Sequence, residues 1–342
     1  MKLFDITTKP QLSKLLAVTP ADLDEVVAER GKYYHSHRIP KRDGSLRILH
    51  VPGGSLMLLQ QKIKQHILDR IKLLDCVHGG VIGRSVVTNA QPHVKKAVVF
   101  TLDVKDFFPS VDPKTVQTIF KVLGFSREIS DLLAQITTWN HELPQGAPCS
   151  TGLANLAMTR VDVRLSSMAK KYGFAYTRYV DDLTVSGSRR LLGFRGLIRR
   201  IVQEEGFQIK PEKTQTMHSG MRQSVTKLIV NQKINLPRES RQQIRQQVIE
   251  FSSRPRHQRR NDKNILGQLS WLSSVNLDLG LRLLKQARLV AKSAKVRRRT
   301  SASAKQTGAL LHACSDLAGG LVDNPPALPK IPILARACSA SG

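Results

Sequence analysis

The chain has 342 residues, which is enough for two domains or for one catalytic core with an appendage. Its 54 Lys and Arg residues exceed its 26 Asp and Glu residues by 28 charges, and a phosphate backbone is the usual partner of such an excess. A basic protein on a membrane surface is the competing interpretation. However, no apolar run approaches the roughly 18 residues of a membrane span, and the N-terminus lacks a signal-peptide core.

The spacing of the cysteines indicates the redox state of the compartment in which the protein is found. Four cysteines lie far apart and show no Cys-x-x-Cys spacing, which argues against a zinc site or a disulfide framework. Free thiols fit a reducing cytoplasm. Composition therefore predicts a cytoplasmic nucleic-acid-binding protein without a membrane partner.

The first 30 residues are predicted to be a separate helical segment. Apolar residues recur at helical spacing in two groups, around Leu12 and Leu23, and Pro20 divides them into two short helices. A third, amphipathic helix is predicted over residues 56–74.

A β-hairpin is predicted between the first two of these helices and the third. Asp43-Gly44 is a strong turn signal between the extended runs 35–40 and 46–51. Lys41 and Arg47 would project from the hairpin. They are either charges on an exposed ribbon or a grip on a triphosphate.

The glycine-rich loop that follows the third helix is not a dinucleotide-binding fingerprint. Gly79, Gly80 and Gly83 do not have the required spacing. No function is assigned to this loop from the sequence.

A near-continuous apolar run at residues 97–104 predicts a strand that is buried on both faces. The strand ends on Asp103, and a helix is predicted from Pro113 to Leu123. A carboxylate at the end of a buried strand is costly unless it is paired or bound to a metal. Asp103 is therefore a better functional candidate than Asp106 or Asp112, which lie in the turn.

The segment 143–157 is a loop, rich in proline and glycine, that opens a helix predicted to run to about residue 171. Gly146 would allow a ligand to approach the backbone closely, and Gln145 supplies a neutral donor and acceptor.

Two adjacent carboxylates, Asp181 and Asp182, are predicted to lie at the tip of a second hairpin, spanning residues 175–187. The flanking residues favour extended backbone, whereas an Asp-Asp pair favours a turn. A solvated polar turn is the plain interpretation. The functional one is a pair of Mg²⁺ ions that neutralises the two charges.

A short hairpin is predicted over residues 225–235, and the character of the chain changes at residue 236. Residues 236–300 are helical in pattern and contain 16 Lys and Arg residues against 4 Asp and Glu residues. This sustained excess favours a groove for a phosphate backbone. Residues 301–342 are predicted to be a poorly ordered tail.

The side chains of Asp103, Asp181 and Asp182 can reach the same pair of metal ions, because neighbouring antiparallel strands lie about 4.8 Å apart. Two Mg²⁺ ions held there would stabilise the attacking 3′-oxygen and the leaving pyrophosphate of an in-line displacement. Phosphoryl transfer needs positioning and charge neutralisation more than a covalent group.

Three segments resemble, in order and spacing, the palm of a reverse transcriptase: Phe100-Thr-Leu-Asp-Val-Lys-Asp-Phe-Phe-Pro-Ser-Val111, Leu143-Pro-Gln-Gly-Ala-Pro148 and Tyr179-Val-Asp-Asp182. The resemblance implies an α+β fold in the form of a right-hand polymerase, with fingers and palm built on an antiparallel sheet packed on helices, and a helical thumb. The implied domains are an N-terminal helical segment (1–30), fingers and palm (31–235), a basic helical thumb (236–300) and the tail (301–342).

The same resemblance implies roles for individual residues. Asp103 and Asp181 would be the principal metal ligands and Asp182 an accessory acid, with two Mg²⁺ ions, or Mn²⁺ in their place. Phe108 matches the steric gate that selects dNTPs, and Lys213 matches the lysine that protonates pyrophosphate. The implied nucleotide-binding residues are Lys41, Arg47, Phe108, Gln145, Gly146 and Lys213. The implied RNA- or primer-binding residues, including those of the basic thumb, are Asn89, His93, Val225, Thr226, Lys227, Arg254, Arg256, Arg259 and Arg260.

Within the family the chain resembles the bacterial retron reverse transcriptases. Asn89-Ala-Gln-Pro-His93, Tyr176-Thr-Arg-Tyr179 and the thumb stretch after Gly267 are retron-like, although Val225-Thr-Lys227 replaces the usual Val-Thr-Gly. The resemblance implies a cognate structured non-coding RNA that is template and 2′-hydroxyl primer. The product would be RNA-linked multicopy single-stranded DNA, made in the bacterial cytoplasm within an anti-phage defence system that includes a separate effector protein.

Two alternatives remain at this point. The first is another compact bacterial reverse transcriptase, of the defence-associated, diversity-generating or CRISPR-associated kind. The second is a catalytically idle RNA-binding scaffold, against which the presence of all three acids weighs.

Overall fold

The computed structural model of the chain describes residues 3–40, 44, 46–253, 263–293 and 331–332. These residues fall into two compact units, which are divided after Thr226. The first unit also includes residues 331–332. Five predicted site residues and most of the predicted tail lie outside the described residues: Lys41, Arg254, Arg256, Arg259, Arg260 and the remainder of 301–342.

The first unit combines helices with a central antiparallel sheet, which confirms the predicted α+β class. Its helices are α1 (Lys9–Leu16), α2 (Pro20–Tyr33), α3 (Gly54–His66), α4 (Val86–Ala90), α5 (Pro113–Leu123), α6 (Arg127–Thr137), α7 (Ser150–Ala157), α8 (Thr159–Tyr172) and α9 (Arg195–Glu204). Its strands are β1 (Tyr34–Pro40), β2 (Leu46–Pro52), β3 (Ile71–Lys72), β4 (Val98–Asp103), β5 (Ala175–Tyr179), β6 (Asp182–Gly187), β7 (Gln215–His218) and β8 (Ser224–Val225).

The N-terminal helices begin and end where the local chemistry requires it. Thr19 caps α2 by accepting a hydrogen bond from the Asp22 amide, and Pro20 occupies the first turn, where its missing N–H costs nothing. The predicted break at Pro20 is thereby confirmed. The amphipathic helix predicted over 56–74 is shorter than expected: α3 ends at His66, and the chain continues through a short 3₁₀ turn into β3.

The central sheet has the strand order β5-β6-β4-β7, with every neighbouring pair antiparallel. β4 is buried on both faces, as its apolar run predicts, since Val98, Val99 and Phe100 have no exposed surface. The segment 143–157 was predicted to be a loop that opens a single helix, but two helices are found, and the first of them, α7, lies within that segment. The helical path breaks at Met158, where ψ is 0° rather than the roughly −42° of a regular α-helix.

The second unit runs from Lys227 through the described part of the basic segment. It contains β9 (Leu228–Ile229), α10 (Arg238–Ser253), α11 (Lys263–Val275) and α12 (Leu277–Ser293). Leu269 and Leu272 of α11 are fully buried, and Val248 of α10 is buried as well. The helical character predicted after residue 236 is therefore found in the described residues, while the boundary between palm and thumb at residue 235 stays a prediction. The last strand, β10 (Ile331–Pro332), pairs in parallel with β3.

Candidate active site

The three candidate catalytic acids lie at one end of the central sheet. β4 and β6 pair so that Asp103 is directly opposite Asp182, and opposed Cα atoms in such a pair are about 4.5–5.5 Å apart. Asp181 occupies the turn just before β6, and its carbonyl accepts a hydrogen bond of 3.0 Å from the Val104 amide. The pairing of β4 with β6 therefore joins two sequence segments that are nearly eighty residues apart.

The carboxylate of Asp103 is paired with two lysines from the loop 206–214, which follows α9 in the chain. Lys210 Nζ lies 2.9 Å from Oδ1, and Lys213 Nζ lies 3.0 Å from Oδ2. The backbone reinforces this arrangement, because the Lys210 amide donates to the Asp103 carbonyl at 2.9 Å. Asp103 is 6% exposed, and this pairing offsets the cost of burying its charge.

Lys210 is a site residue that the sequence did not single out. The only signal was its position three residues before Lys213, in a segment with several charges. Its relation to Asp103 depends on the bridge between Val104 and Ile209, which is a long-range pairing that local patterns do not encode.

The electrostatics of the site differ between its acids and its lysines. Burial raises the pKa of Asp181 above its usual 3.8, and the negative charge of Asp103 raises it further, although Lys210 and Lys213 oppose the change. Partial burial lowers the pKa of Lys213, but the hydrogen bond to Asp103 and the neighbouring acids outweigh this effect and raise it above 10.5. The negative charge of Asp181 therefore lowers the stability of the folded state. Lys213 keeps its proton at neutral pH.

The carboxylates of Asp103, Asp181 and Asp182 are chemically suited to bind a hard divalent cation. Within the described ranges, no three His, Cys, Asp or Glu side chains are already gathered as a metal centre. Carboxylate oxygens are nevertheless the ligands that Mg²⁺ prefers. The pKa of Asp181 is raised by burial and by the charge of Asp103, and a bound cation would offset both effects.

The loop expected to form the nucleotide pocket packs on the first hairpin. The His50 amide donates to the Gln145 carbonyl at 2.9 Å, so the loop follows β2. Gly146 has a left-handed φ of 105°, and a Cβ atom there would lie 3.0 Å from the side chain of Val51. Gly146 is thus required both by its backbone conformation and by close packing against β2.

Two other predicted pocket residues differ in their surroundings. Arg47 lies on β2 opposite Ile39 and is exposed. Phe108 is half-buried, and its ring centroid is 5.5 Å from that of the buried Phe107. Packing against Phe107 limits the freedom of the Phe108 ring, which a steric gate requires.

The retron-like segment at 89–93 lies inside the protein. Asn89 and His93 have no exposed surface, so neither side chain is available to RNA in this structure. His93 bridges β5 and β6 by hydrogen bonds to Thr177 (2.7 Å) and Ser186 (2.6 Å). Burial, assisted by the charge of Lys96, lowers the pKa of His93 to about 3, and the ring is therefore neutral at pH 7. The segment therefore stabilises the pairing of β5 and β6 by contacts inside the protein.

The segment 225–227, which was predicted to bind RNA or primer, contains an unusual turn. Val225 is fully buried, whereas Lys227 is exposed. Thr226 and Lys227 both have left-handed backbone, with φ of 45° and 67°. Glycine accepts this conformation without steric cost, so the lysine found in place of the usual glycine occupies a strained position. The Thr226 hydroxyl lies 3.4 Å from Asn89 Nδ2, which joins this turn to the buried segment.

Comparison with known families agrees with this geometry. Residues 39–260 match the family described as "Reverse transcriptase (RNA-dependent DNA polymerase)". The chain belongs to this family, and the predicted α+β fold of a reverse transcriptase is confirmed at the level of the family.

The curated relatives extend the identification to the retron reverse transcriptases. The chain is 35% identical over 278 residues to the retron Mx65 reverse transcriptase of Myxococcus xanthus, covering 75% of this chain and 65% of that protein. It is 35% identical over 229 residues to the retron Mx162 reverse transcriptase of the same organism, covering 58% of this chain and 47% of the relative. It is 31% identical over 242 residues to the retron Ec86 reverse transcriptase of Escherichia coli, covering 69% of this chain and 76% of the relative.

These relatives confirm the resemblance to retron enzymes that the segments at 89–93 and 176–179 indicated. The chain nevertheless spans only 65% and 47% of the lengths of the two Myxococcus proteins. Among the described residues, no helix is both long and apolar enough to cross a membrane.

Proposed function

We propose that the protein is an RNA-directed DNA polymerase of the retron kind. Its substrates would be dNTPs and a cognate structured non-coding RNA, which serves as both template and primer, and its product RNA-linked multicopy single-stranded DNA. The observation that carries the proposal is the pairing of Asp103 with Asp182, beside Asp181, in a chain related to retron reverse transcriptases. The wider role would be anti-phage defence in the bacterial cytoplasm, together with a separate effector protein.

The residues of the site divide the chemical work between them. Asp103, Asp181 and Asp182 would hold two Mg²⁺ ions, or Mn²⁺ in their place. When bound, such ions neutralise the charge that develops on the attacking and leaving oxygens. Lys213 retains its proton at neutral pH and is exposed enough to meet the triphosphate, so it would donate that proton to the pyrophosphate. Lys210 would keep Asp103 oriented through its amide and its side chain.

The remaining assignments place the substrates around this centre. Arg47, with Lys41, would bind the triphosphate, and the loop at Gln145 and Gly146 would line the pocket beneath it. Asn89 and His93 would act on the RNA indirectly, by fixing the turn at Thr226 and the strands above them. The thumb arginines and Lys227 would contact the phosphate backbone.

The RNA that copurifies with the protein tests this function. We expect a folded transcript joined to DNA through a 2′-5′ branch, identified by sequencing after debranching. The purified complex should also extend the DNA when dNTPs and Mg²⁺ are added. Extension on RNA templates without any branched product would support another compact reverse transcriptase, and the absence of incorporation would overturn the polymerase assignment.

Replacing Phe108 with Ala is expected to relax sugar selection. The ring is half-buried against Phe107, and its loss opens space for a 2′-hydroxyl. We expect the ratio of ribonucleotide to deoxynucleotide incorporation, measured as kcat/KM in primer extension, to rise roughly 10- to 200-fold, as for other small changes of pocket volume. Phe108→Tyr is the matched control, because it keeps the ring. An unchanged ratio in Phe108→Ala would remove the steric-gate role.

A further inference from the structure

The glycine-rich loop after α3 lies directly behind the turn that carries Asp181. β5 is the edge strand of the central sheet, and this loop covers its free edge. The Arg178 amide donates to the Cys76 carbonyl at 2.7 Å, and the His78 amide donates to the Arg178 carbonyl at 2.8 Å. Val77 and Arg178 are paired in parallel. The loop therefore extends the sheet beyond β5, next to the turn that contains Asp181.

Gly79 touches the backbone of this turn so closely that no side chain fits there. A Cβ atom on Gly79 would lie 2.4 Å from the Val180 nitrogen and 2.5 Å from Val180 Cγ2. The φ of Gly79 is not in the left-handed range. Glycine is thus needed at this position for the close approach to Val180, and not for backbone conformation.

Arg178 holds the same turn from the interior. Its guanidinium is completely buried and neutralised by Asp162, at 2.8 Å from Oδ1 and 2.6 Å from Oδ2. Its Nη1 donates to the Val180 carbonyl at 2.9 Å and to the Asn155 side-chain oxygen at 2.9 Å. The Asn155 amide group in turn donates to the Gly79 carbonyl at 2.8 Å. Arg178, Asn155 and Gly79 thus form a connected set of contacts around Val180.

Val180 itself needs such support. Its φ is 58°, a left-handed conformation that is unfavourable for a β-branched residue. Strained conformations of this kind persist where the surrounding structure determines them, and they are frequent at functional sites. Val180 directly precedes Asp181, so the conformation of Val180 sets the direction in which Asp181 leaves the strand.

We propose that Gly79 and Arg178 are positioning residues that hold Val180 in its left-handed conformation and thereby fix Asp181 in the turn beside Asp103. The proposal rests on the polymerase function proposed above. It assigns a role to a glycine loop that matches no dinucleotide-binding pattern, and to a completely buried ion pair.

Gly79→Ala is the first test, with Gly83→Ala as its matched control. Gly83 lies in the same loop with φ of 77°, and a Cβ atom there would meet nothing within 4 Å. Alanine at Gly83 therefore adds backbone strain without pressing on the turn. For single-nucleotide incorporation we expect Gly79→Ala to lower kcat about 100-fold, the scale of a misplaced catalytic group. The KM for dNTP should stay within about twofold, because Asp181 acts on the transition state. Gly83→Ala should keep the wild-type kcat.

Hydrogen exchange of the peptide 175–187 supplies a readout that does not need activity. We expect faster exchange in this peptide in Gly79→Ala and wild-type exchange there in Gly83→Ala. Arg178→Lys is the second variant. It keeps a positive charge against Asp162, but one ammonium cannot contact Asp162, Asn155 and Val180 as the guanidinium fork does. It should show the same exchange and the same loss of kcat.

The outcomes separate this proposal from the polymerase function. If the wild-type protein incorporates dNTPs, and both Gly79→Ala and Arg178→Lys retain its kcat and its exchange pattern, the positioning role is overturned. If the wild-type protein incorporates nothing, the polymerase function fails, and the exchange of peptide 175–187 still decides whether Gly79 and Arg178 fix the turn.

Discussion

Replacing Asp181 and Asp182 together with Asn is expected to abolish dNTP incorporation while RNA binding persists. Loss of one preorganised electrostatic group commonly costs roughly 10²–10³ in kcat, and this variant removes two carboxylates from one site. We therefore expect a decrease of more than about 10³-fold in primer extension on the copurified RNA. The dissociation constant for that RNA, measured by filter binding at fixed salt, should not rise, because both substitutions remove negative charge that repels the phosphate backbone.

The single variant Asp181→Asn should not lower the stability of the fold. The negative charge of Asp181 already destabilises the wild-type protein, and Asn removes that charge. The pKa of Asp181 is raised by burial and by the charge of Asp103, so the folded state binds this proton more tightly than the unfolded state does. The stability of the fold consequently falls as the pH rises from 3.8 through the raised pKa, and the full penalty is present at neutral pH. We expect Asp181→Asn to melt at the wild-type temperature or higher, at pH 7 in EDTA.

Asp112→Asn is the control for the loss of one carboxylate charge at a helix cap. Asp112 caps α5 by accepting a hydrogen bond from the Thr115 amide, and Asn caps a helix equally well. This variant should keep both activity and RNA binding. Incorporation at the wild-type rate by the Asp181→Asn, Asp182→Asn protein would exclude this site as the polymerase centre.

Asp162→Ala is expected to be the most destabilising of the substitutions considered. Asp162 and Arg178 are 1% and 0% exposed, and their ion pair is completely enclosed. Without Asp162 the guanidinium would be buried with no counter-charge, and the Tyr176 hydroxyl would lose its acceptor. Removing one partner of a buried pair costs about 3–5 kcal/mol. A drop in melting temperature of roughly 10 °C should follow for a chain of this size.

The paired variant Arg178→Met, Asp162→Leu separates charge from packing. Replacing both partners with apolar residues leaves no unpaired charge, and such exchanges are often neutral. We expect this double variant to melt well above Asp162→Ala. Its activity should stay low, because methionine cannot donate to the Val180 carbonyl. Equal melting temperatures for Asp162→Ala and the wild-type protein would show that the ion pair contributes nothing to the fold.

Local patterns in the sequence were sufficient for the elements that lie next to the candidate acids. The apolar run at 97–104 predicted β4, and the Asp-Asp pair between extended segments predicted the β5–β6 hairpin. In both cases the signal is carried by neighbouring residues, through β-propensity and turn preference. The strand ends found in the structure differ from the predicted ones by one or two residues.

Helix ends were less well predicted than strand positions. The helix expected over 56–74 ends at His66, and the single helix expected from the segment 143–157 to about residue 171 is broken at Met158. Apolar spacing in these regions fits a longer helix, but tertiary packing decides where each helix stops. The segment 89–93 shows a related limit. Its polar residues suggested RNA contacts, whereas Asn89 and His93 are buried. The hydrogen-bond partners of the His93 ring lie on β5 and β6, and the partner of the Asn89 side chain is Thr226.

The sequence by itself determined the family, and it singled out the three candidate acids and Gly146, because each of these signals is carried by contiguous residues. Only the tertiary structure decided which groups surround those acids. The lysine at position 210 reaches Asp103 through a long-range pairing, and the pKa of Asp181 is raised by burial and by a residue 78 positions away. Gly79 and Arg178 meet at Val180 for the same reason. Such contacts depend on how the strands and loops pack, which no local pattern specifies.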